Sequence, residues 1–293
     1  MVKKQAFLYK STSSLVLFVF AVIMLLPMVI PLTNSLMTED EIGHNYNLIG
    51  QMTDVASGGK DLFVNLKLLP DWVSFEQYTK VLLETPTYLN MFWNSVLLVV
   101  PIIGGQVAVA ALAAYSFAKL QYRGRDSLFF VYLMAMLMPF QVTLVPNYII
   151  ADKLGLLNSA GAIILPGIFS AFGVFMLRQF MLTIPNAYVE AAIMDGAGHL
   201  MIFYRIILPL IKPGLAALVV LLFVDYWNMV EQPLIFLDDG FKQPLSLYLS
   251  QILQEAKGIG FAASVLYMSP MVLLFLYAES YFIQGVQLSG VKG

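Results

Sequence analysis

Apolar residues in this chain are gathered into long runs that are separated by polar segments. An apolar run of about 20 residues is long enough to cross the hydrocarbon layer of a bilayer as a helix. Six runs have roughly this length, and we predict one membrane-spanning helix in each. These helices cover, with approximate ends, residues 15–36, 92–118, 128–150, 160–180, 215–237 and 261–283. The pattern therefore predicts an all-α membrane protein with six transmembrane helices.

Prolines interrupt several of these runs. Pro139 and Pro146 lie in the third run, and Pro166 lies in the fourth. A proline has no backbone N–H and so frees a carbonyl of the preceding turn, but neighbouring helices in a membrane bundle can satisfy that carbonyl. We therefore expect each of these runs to remain one span.

The first run could belong either to a cleaved signal peptide or to a retained membrane helix. A signal peptide has an apolar core of about 7–15 residues followed by a small-residue cleavage site. The run here is longer, contains two prolines and lacks such a site, and three lysines precede it. We predict a retained helix over residues 15–36, with a cytoplasmic segment over residues 1–14.

The segment between the first two spans, residues 37–91, is polar and rich in carboxylates. It contains an Ala-Ser-Gly-Gly-Lys tract at residues 56–60, a composition typical of flexible segments. We predict an extracytoplasmic loop that is either a solvated cap or a docking surface for another protein. Residues 92–293 then form a core of five spans, with a cytoplasmic loop over residues 183–213.

The distribution of basic residues indicates the orientation. Six spans place both termini on the same side of the membrane, and cytoplasmic loops carry an excess of lysine and arginine. All four arginines lie in segments on the same side as the N-terminus. We therefore predict that both the N-terminus and the C-terminus are cytoplasmic.

Composition supports a membrane protein and gives little support for chemistry within the chain. Of the 293 residues, 59% are hydrophobic and 12% are charged, whereas a soluble domain has about 25% charged residues. There is no cysteine and there are two histidines, too few for a thiolate site or a histidine metal cluster. The net charge is −2, and no basic run indicates a nucleic-acid partner. We predict a chain that is not an enzyme and holds no metal.

One long segment between apolar runs, residues 186–214, is itself amphipathic. Asn186 is a favourable helix N-cap, because its side chain can accept from the first free backbone N–H groups. We predict a helix over residues 187–195 that ends at Gly196 in a left-handed conformation. Its spacing places four residues on one face, namely Tyr188, Ala191, Ala192 and Asp195. The small alanines would let another surface approach this face closely.

A second short helix is predicted to begin near His199 and to stop at Pro209. Its predicted apolar face consists of Leu200, Phe203, Tyr204 and Ile207. Two short helices that meet at a sharp angle between membrane spans are typical of a docking element.

The same segment carries a family motif. Glu190-Ala191-Ala192 is followed by Gly196 and then by an Ile-x-Leu-Pro sequence at residues 206–209. This pattern resembles the EAA signature of permease subunits in binding-protein-dependent ABC importers. By this resemblance, the residues that couple the chain to an ATPase are Glu190, Ala191, Ala192, Asp195, Gly196, Ile206, Leu208 and Pro209.

The resemblance covers most of the chain after about residue 90 and is similar to the carbohydrate-importing branch with its maltose-type inner-membrane subunits. The segments that carry it are residues 114–125, 141–146, 153–158, 175–180 and 290–293. It implies a type I ABC importer permease fold, forming half of a channel for a sugar or oligosaccharide in a bacterial or archaeal cytoplasmic membrane. The implied partners are a homologous sister permease, an ABC ATPase dimer, an extracytoplasmic solute-binding protein and membrane lipid.

The chain contains no phosphate-binding loop, since Gly59-Lys60 is followed by an aspartate rather than by serine or threonine. No cofactor is therefore expected in this chain, and ATP and Mg would be bound by the partner ATPase. The negative charge of Glu190 would stabilise the N-terminus of its helix. By resemblance, Glu190 would also contact that ATPase. Residues 206–209 would fasten the second helix to the fifth span. The alternative is a helix that lies on lipid headgroups, but the segment lacks the basic face typical of such helices.

The fifth run contains a group of polar residues near its centre. Asp225 lies about ten residues into the span, so a rise of 1.5 Å per residue places it near the middle of a ~30 Å hydrocarbon layer. A carboxylate there costs at least ~2.5 kcal/mol and should face a partner or a water-filled cavity. Asp225, Asn228 and Gln232 are predicted to form one polar stripe, with Trp227 and Glu231 on another face. The group suits a polyhydroxylated ligand in a substrate pathway, or else it bonds neighbouring helices.

Two positions depart from the family pattern. The family usually carries Trp-Asn-Asp, whereas Trp227-Asn228 is followed here by Met-Val-Glu-Gln at residues 229–232. Glu279-Ser280 stand where the family has Gln-Arg. Glu279 either finds a basic partner near the inner face or is a carboxylate at headgroup level.

The main alternative function is an ion- or proton-coupled secondary transporter that works without an ATPase. Asp225 and Glu231 supply titratable groups for it, but it leaves the motif at Glu190 without a role. A membrane-embedded hydrolase has less support, since no Ser/His/Asp set is evident.

Overall fold

A computed structural model describes residues 2–46, 66–249 and 257–290. Within these ranges every regular element is helical, and no strand is present. The helices are α1 (Val2–Asn34), α2 (Glu39–Tyr46), α3 (Glu76–Thr79), α4 (Pro86–Lys119), α5 (Arg125–Met136), α6 (Phe140–Lys153), α7 (Gly161–Ile168), α8 (Ala171–Leu182), α9 (Ala187–Met194), α10 (His199–Ile202), α11 (Leu208–Leu210), α12 (Lys212–Trp227), α13 (Glu231–Phe236) and α14 (Lys257–Gly290). The all-α prediction is confirmed, while the predicted flexible tract at residues 56–60 lies outside the described residues.

Four helical segments in the described part of the chain are long and apolar enough to cross a membrane. They are Ser13–Asn34, Pro86–Lys119, Gly161–Leu182 and Ile259–Tyr281. Two further segments meet the same criterion only as bent pairs, in which α5 joins α6 at 97° and the α10–α11 stretch joins α12 at 75°. Six spans, the predicted number, are therefore reached when each bent pair counts as one broken span.

The third apolar run is not one continuous helix, contrary to the prediction. α5 ends at Met136 and α6 begins at Phe140. Pro139 lies between them with an extended backbone, at φ −62° and ψ 142°. A proline also disfavours the helical conformation in the residue before it, so the helix ends ahead of Pro139. Pro146, by contrast, is accommodated inside α6.

The fifth apolar run is also broken, because α12 ends at Trp227 and α13 begins only at Glu231. Pro233 explains this break. In a continuous helix its missing N–H would leave the carbonyl of Met229 without a donor. That carbonyl accepts instead from Ser246 Oγ at 2.6 Å. A side-chain hydroxyl thus replaces the lost backbone donor.

The described chain forms two compact units, of which the first comprises Met1–Leu89 and Leu249–Ser269. A buried network packs part of the predicted loop against the end of α1. Gln77 Nε2 donates to the carbonyl oxygens of Asn34 and Met37 at 2.8 and 2.9 Å. Asn34 Nδ2 in turn lies 2.6 Å from Tyr46 Oη. The described part of this loop therefore packs against the end of α1, and both of its interpretations, a solvated cap and a docking surface, stay predictions.

Ion pairs lie on the surface of this first unit. Lys80 Nζ contacts Glu39 at 2.5 Å and Glu76 at 2.9 Å. Hydrogen bonds with these carboxylates, chiefly with Glu39, raise the pKa of Lys80 above its ordinary value. Exposed ion pairs add little to stability, so the buried network around Gln77 contributes more to holding this segment against the end of α1.

The second unit comprises Asn90–Tyr248 and Pro270–Gly293. Within it, α4 approaches α7 so closely that added side-chain atoms would clash. A Cβ on Gly105 would lie 2.6 Å from Ile168 Cγ1, and one on Gly167 would lie 2.8 Å from Ile102 Cγ2. Small residues let membrane helices approach in this way. Alanines at positions 110, 114 and 118, whose four-residue spacing predicts a small-residue stripe on α4, are all buried.

The turn after α6 explains the glycine and the asparagine in residues 153–158. Gly155 and Asn158 adopt left-handed backbone conformations, with φ of 65° and 58°. Glycine and asparagine tolerate this region better than other residues. The backbone N–H of Asn158 donates to the carbonyl of Phe236 at 2.8 Å, and its Oδ1 accepts from the N–H of Asp239 at 3.2 Å. The turn therefore fastens the end of α6 to the segment after α13.

Two adjacent glycines of α4 give a matched test of this packing. We expect Gly105→Ala to lower the melting temperature of the purified protein in detergent, because overpacking costs about 1–3 kcal/mol. Gly104→Ala is the control, since its Cβ would meet nothing within 4 Å and alanine favours a helix interior by ~1 kcal/mol over glycine. Scanning fluorimetry measures both. Equal destabilisation by the two variants would contradict the close contact between α4 and α7.

Candidate functional site

A cavity of about 770 Å³ lies in the second unit, where three helix breaks come together. Its wall is formed by the start of α6, the junction of α7 with α8, and the junction of α12 with α13. The lining residues are Phe140, Gln141, Thr143, Asn147, Pro166, Gly167, Ser170, Val224, Asp225, Tyr226, Asn228, Met229, Val230, Glu231 and Gln232. Irregular backbone at membrane depth is tolerated where it is buried in protein or lines a wet cavity, which relates the breaks to the cavity.

Four of the five predicted pathway residues line this cavity, namely Asp225, Asn228, Glu231 and Gln232. The predicted stripe of Asp225, Asn228 and Gln232 does not lie on one continuous helix, because α12 ends before Asn228. Asn228 Nδ2 donates to the carbonyl of Val224 at 2.7 Å and so caps the broken end of the helix. Gln232 Nε2 donates to the carbonyl of Ala162 at 3.4 Å. The break, rather than helical spacing, brings these side chains to one cavity.

Trp227 is the fifth predicted pathway residue, and the structure places it in the core instead. Its side chain is 1% exposed and does not line the cavity. The ring stacks on Phe223 with centroids 5.0 Å apart and meets Phe92 edge-on at 5.7 Å. The ring is thus held by neighbouring aromatic side chains, and Trp227 does not contribute to the wall of this cavity.

Polar residues on α6 complete the wall, and the sequence reasoning missed them. Gln141 Nε2 lies 3.3 and 3.4 Å from the two carboxylate oxygens of Glu231 and donates to them. Thr143 and Asn147 lie on the same helix and line the same cavity. A signal was available, because these polar residues lie two, four and eight positions after Pro139 inside an otherwise apolar run.

The predicted docking segment forms a separate site at α9. Gly196 has a φ of 81°, so it ends the helix in the left-handed conformation that was predicted. The backbone N–H of Ala197 then donates to the carbonyl of Ala192 at 2.9 Å. A Cβ on Gly196 would meet no atom within 4 Å, so the backbone angle alone favours glycine here.

The inward face of α9 differs from the prediction. Val189 and Ala192 are buried against the rest of the chain, whereas Tyr188, Ala191 and Asp195 are exposed. Ala192 therefore does not share a free face with Ala191. Val189 and Ala192 lie at i and i+3, so they share the face that turns toward the rest of the chain. The free face keeps one of the two alanines. Glu190 is exposed as well.

The stretch after α9 is helical but irregular. α10 continues through a π-helical turn at Phe203–Ile207 into α11. Pro209 therefore lies inside the helical stretch rather than ending it. A π-helical turn bonds to the residue five positions back, and this wider turn precedes the proline that has no N–H to donate.

Burial in this stretch also departs from the predicted apolar face. Phe203 and Ile207 are buried as expected, but Leu200 and Tyr204 are exposed. Among the motif residues, Ile206 and Leu208 are half-buried and Pro209 is exposed. Adjacent residues are buried instead, and they are Ile202, Phe203, Ile207 and Ile211.

Lys119, the last residue of α4, holds the start of this segment. Its Nζ donates to the carbonyl of Ile184 at 2.5 Å and to Asn186 Oδ1 at 3.0 Å. Asn186 therefore does not cap α9 with its side chain, contrary to the prediction, because the ammonium of Lys119 takes its acceptor oxygen. One turn earlier on α4, Tyr115 Oη lies 3.4 Å from His199 Nδ1.

The remaining acidic residue considered from sequence, Glu279, is exposed on α14. The described residues give no contact that selects between its two interpretations, so both stay predictions.

Comparison with known proteins identifies relatives. Residues 91–286 match the family described as "Binding-protein-dependent transport system inner membrane component". The chain is 32% identical over 227 residues to the arabinooligosaccharides transport system permease protein of Halalkalibacterium halodurans, across 76% of this chain and 81% of that protein. It is 29% identical over 246 residues to the polygalacturonan/rhamnogalacturonan transport system permease protein of Bacillus subtilis, across 77% of this chain and 84% of that protein.

The fold has a match among solved structures. A chain from the crystal structure of a bacterial ABC transporter involved in the import of the acidic polysaccharide alginate superposes with a TM-score of 0.75. The two chains are 22% identical, and the match covers 94% of this chain and 96% of the other. These relationships favour a multi-pass inner-membrane importer permease over an ion-coupled secondary transporter. The chain belongs to the family of binding-protein-dependent transport system inner membrane components.

Proposed function

We propose that this chain pairs with a homologous sister permease in an ATP-driven importer and forms half of the pathway for a sugar or oligosaccharide. An extracytoplasmic binding protein delivers the substrate, and two copies of an ABC ATPase bind ATP and Mg. The observation that carries the proposal is the EAA motif on an exposed helix of a chain that contains no phosphate-binding loop. Relatives named for arabinooligosaccharides and polygalacturonan/rhamnogalacturonan support a carbohydrate substrate.

The coupling loop, residues 183–213, offers the ATPase an apolar surface. Six large apolar side chains between positions 188 and 204 are exposed, and they are Tyr188, Ile193, Met194, Leu200, Met201 and Tyr204. Full burial of such a side chain contributes about 1.5–3 kcal/mol, so a partner that covers several of them gains substantial affinity. Docking of a short amphipathic helix into a groove is a common mode of recognition. Glu190 and Asp195 on this surface provide acceptors for basic groups of the ATPase.

The cavity suits a saccharide. Its volume of about 770 Å³ falls within the ~300–1,000 Å³ typical of ligand pockets. Amide and carboxylate side chains bond hydroxyl groups, and the ring of Phe140 offers an apolar surface. Asp225, Asn228, Glu231 and Gln232 would form the part of the pathway contributed by this chain.

Alternating access connects the two sites. When ATP closes the ATPase dimer, the coupling loop moves with it and the two permeases open outward. α12 joins the two sites directly, since it begins at Lys212, at the end of the coupling loop, and ends at Trp227, beside the cavity.

Orientation is tested with single cysteines, which the chain otherwise lacks. In intact cells, Gly240→Cys should react with a membrane-impermeant thiol reagent, and Gly198→Cys should react only after permeabilisation. Both positions are exposed, and a Cβ at either meets nothing within 4 Å. Labelling of position 198 but not of position 240 in intact cells would reverse the proposed orientation.

The anchor of the coupling loop is tested by Lys119→Met, which keeps the apolar stem and removes the ammonium. Hydrogen bonds to charged groups contribute about 1.5–3 kcal/mol, so we expect backbone amides of residues 184–190 to exchange hydrogen about tenfold faster or more. Hydrogen–deuterium exchange of the purified importer measures this. Lys212→Met is the control, because Lys212 is exposed at the other end of the loop. Unchanged exchange in Lys119→Met would show that the lysine does not hold the loop.

Coupling itself is tested at two neighbouring glycines. Gly196→Val places a β-branched side chain at a φ of 81°, which costs more than the usual ~1–2 kcal/mol of the left-handed region. The helix should then meet the ATPase at a wrong angle, so uptake and substrate-stimulated ATP hydrolysis should be lost in an assembled complex. Gly198→Ser is the control, because Gly198 has a φ of −74° and should transport normally.

One result would overturn the importer. The result is near-normal uptake by Gly196→Val that persists after cellular ATP is depleted while the ion gradient is held. Such uptake would indicate an ion-coupled secondary transporter.

A further inference from the structure

Resting on the proposed transport function, we propose that the cavity lined by α6, the α7–α8 junction and the α12–α13 junction selects neutral or positively charged saccharides and disfavours acidic ones. The part of the pathway that this chain contributes then acts as a charge filter in addition to binding hydroxyl groups.

The charges that line the cavity have one sign. Asp225 and Glu231 are the charged residues among its lining, and no lysine, arginine or histidine of the described chain lies in that wall. Both carboxylate residues are exposed on this chain and therefore face open space. Asp225 lies in the last turn of α12, and Glu231 is the first residue of α13, so they stand on either side of the helix break.

The nearest partners do not cancel these charges. Gln141 donates its Nε2 to Glu231, but an amide is neutral, so this contact orients the carboxylate without removing its charge. Several basic residues of the second unit bind other groups. Lys119 binds the carbonyl of Ile184, Arg125 pairs with Asp126, Arg178 stacks on the ring of Phe129 at 3.9 Å, and Lys242 binds the carbonyl of Asn158.

The chemistry of the two carboxylates fits hydroxyl donors. A carboxylate accepts hydrogen bonds, and sugar hydroxyl groups donate them. A uronate or phosphate group would instead bring a third negative charge beside acceptors that have no proton to give. Away from bulk water the repulsion between like charges exceeds thermal energy over several ångström. An ammonium group, as in an amino sugar, would be attracted.

Family membership does not decide this point. The relatives include a permease named for arabinooligosaccharides and another named for polygalacturonan/rhamnogalacturonan, and the alginate importer with the matching fold takes up an acidic polysaccharide. The charges that line this cavity therefore distinguish between neutral and acidic saccharides, whereas membership of the family does not.

The filter is tested by probing the potential inside the cavity. Ser170 lines the cavity, and Ser170→Cys introduces a single thiol into a chain without cysteine. In the assembled importer in membranes, its rates of modification by a cationic and an anionic methanethiosulfonate reagent of similar size are compared. The ratio of the cationic rate to the anionic rate is divided by the same ratio measured for a free thiol. We expect this normalised ratio to favour the cation about tenfold at low salt. The preference should shrink as salt rises.

Paired variants assign this preference to the two carboxylates. Asp225→Asn combined with Glu231→Gln should bring the ratio to that of the free thiol. Asp152→Asn is the matched control, because it removes an exposed carboxylate from α6 outside the cavity wall, and it should leave the ratio unchanged.

Two results would overturn the filter. One is a ratio that equals the free-thiol value or favours the anion before any charge is removed. The other is a lack of reaction at both Ser170→Cys and Thr143→Cys, since Thr143 lines the same cavity.

An uptake measurement separates this inference from the proposed function. In proteoliposomes with one and the same binding protein, the double variant should raise the uptake of trigalacturonate relative to arabinotriose at least several-fold. A cation preference without uptake of either sugar would contradict the transport function, while the negative potential of the cavity would still be observed. Uptake of both sugars in a ratio that the double variant does not change would contradict the filter alone.

Discussion

Every backbone N–H and C=O group inside a bilayer needs a hydrogen-bond partner, and this requirement shapes the second unit of the protein. Pro233 deprives the carbonyl of Met229 of a donor, and Ser246 supplies one. At the same break, Asn228 bonds the carbonyl of Val224. Tyr226 Oη donates to the carbonyl of Gly167 at the α7–α8 junction. The helices can break here because side chains complete the hydrogen bonding, and the cavity occupies the space between the broken ends.

Much of this arrangement could be predicted from the sequence. The apolar runs predict the helices, the alanines of α4 predict a buried stripe, and Gly196 predicts a left-handed helix end. The sequence does not show which prolines break a span, because Pro139 does and Pro146 does not. At Pro233 the freed carbonyl of Met229 is satisfied by Ser246, a donor 17 residues away along the chain, and local sequence does not reveal such a partner.

The candidate sites were predicted less completely than the helices, for the same reason. Ala191 and Ala192 are chemically identical neighbours, and only packing against the rest of the chain decides that Ala192 is the buried one. Trp227 has the chemistry of a sugar-binding aromatic residue, yet Phe223 and Phe92 hold it in the core. Residue type predicts what a side chain can bind, whereas its direction follows from contacts between distant segments.

The long helix α4 has a mechanical consequence. Asn94 holds the carbonyls of Phe241 and Gln243 at one end, and Lys119 holds the coupling loop at the other. These two residues are about 38 Å apart along the helix axis. The close contact of Gly105 with Ile168 lies near the midpoint and can serve as a fulcrum. A tilt of about 10° there would move the Lys119 end by about 4 Å and the Asn94 end by about 3 Å in the opposite direction. The helix would then pivot as a rigid body. Displacement of the coupling loop would move the loop at the other end of α4 in the opposite direction, without any change in the fold of α4.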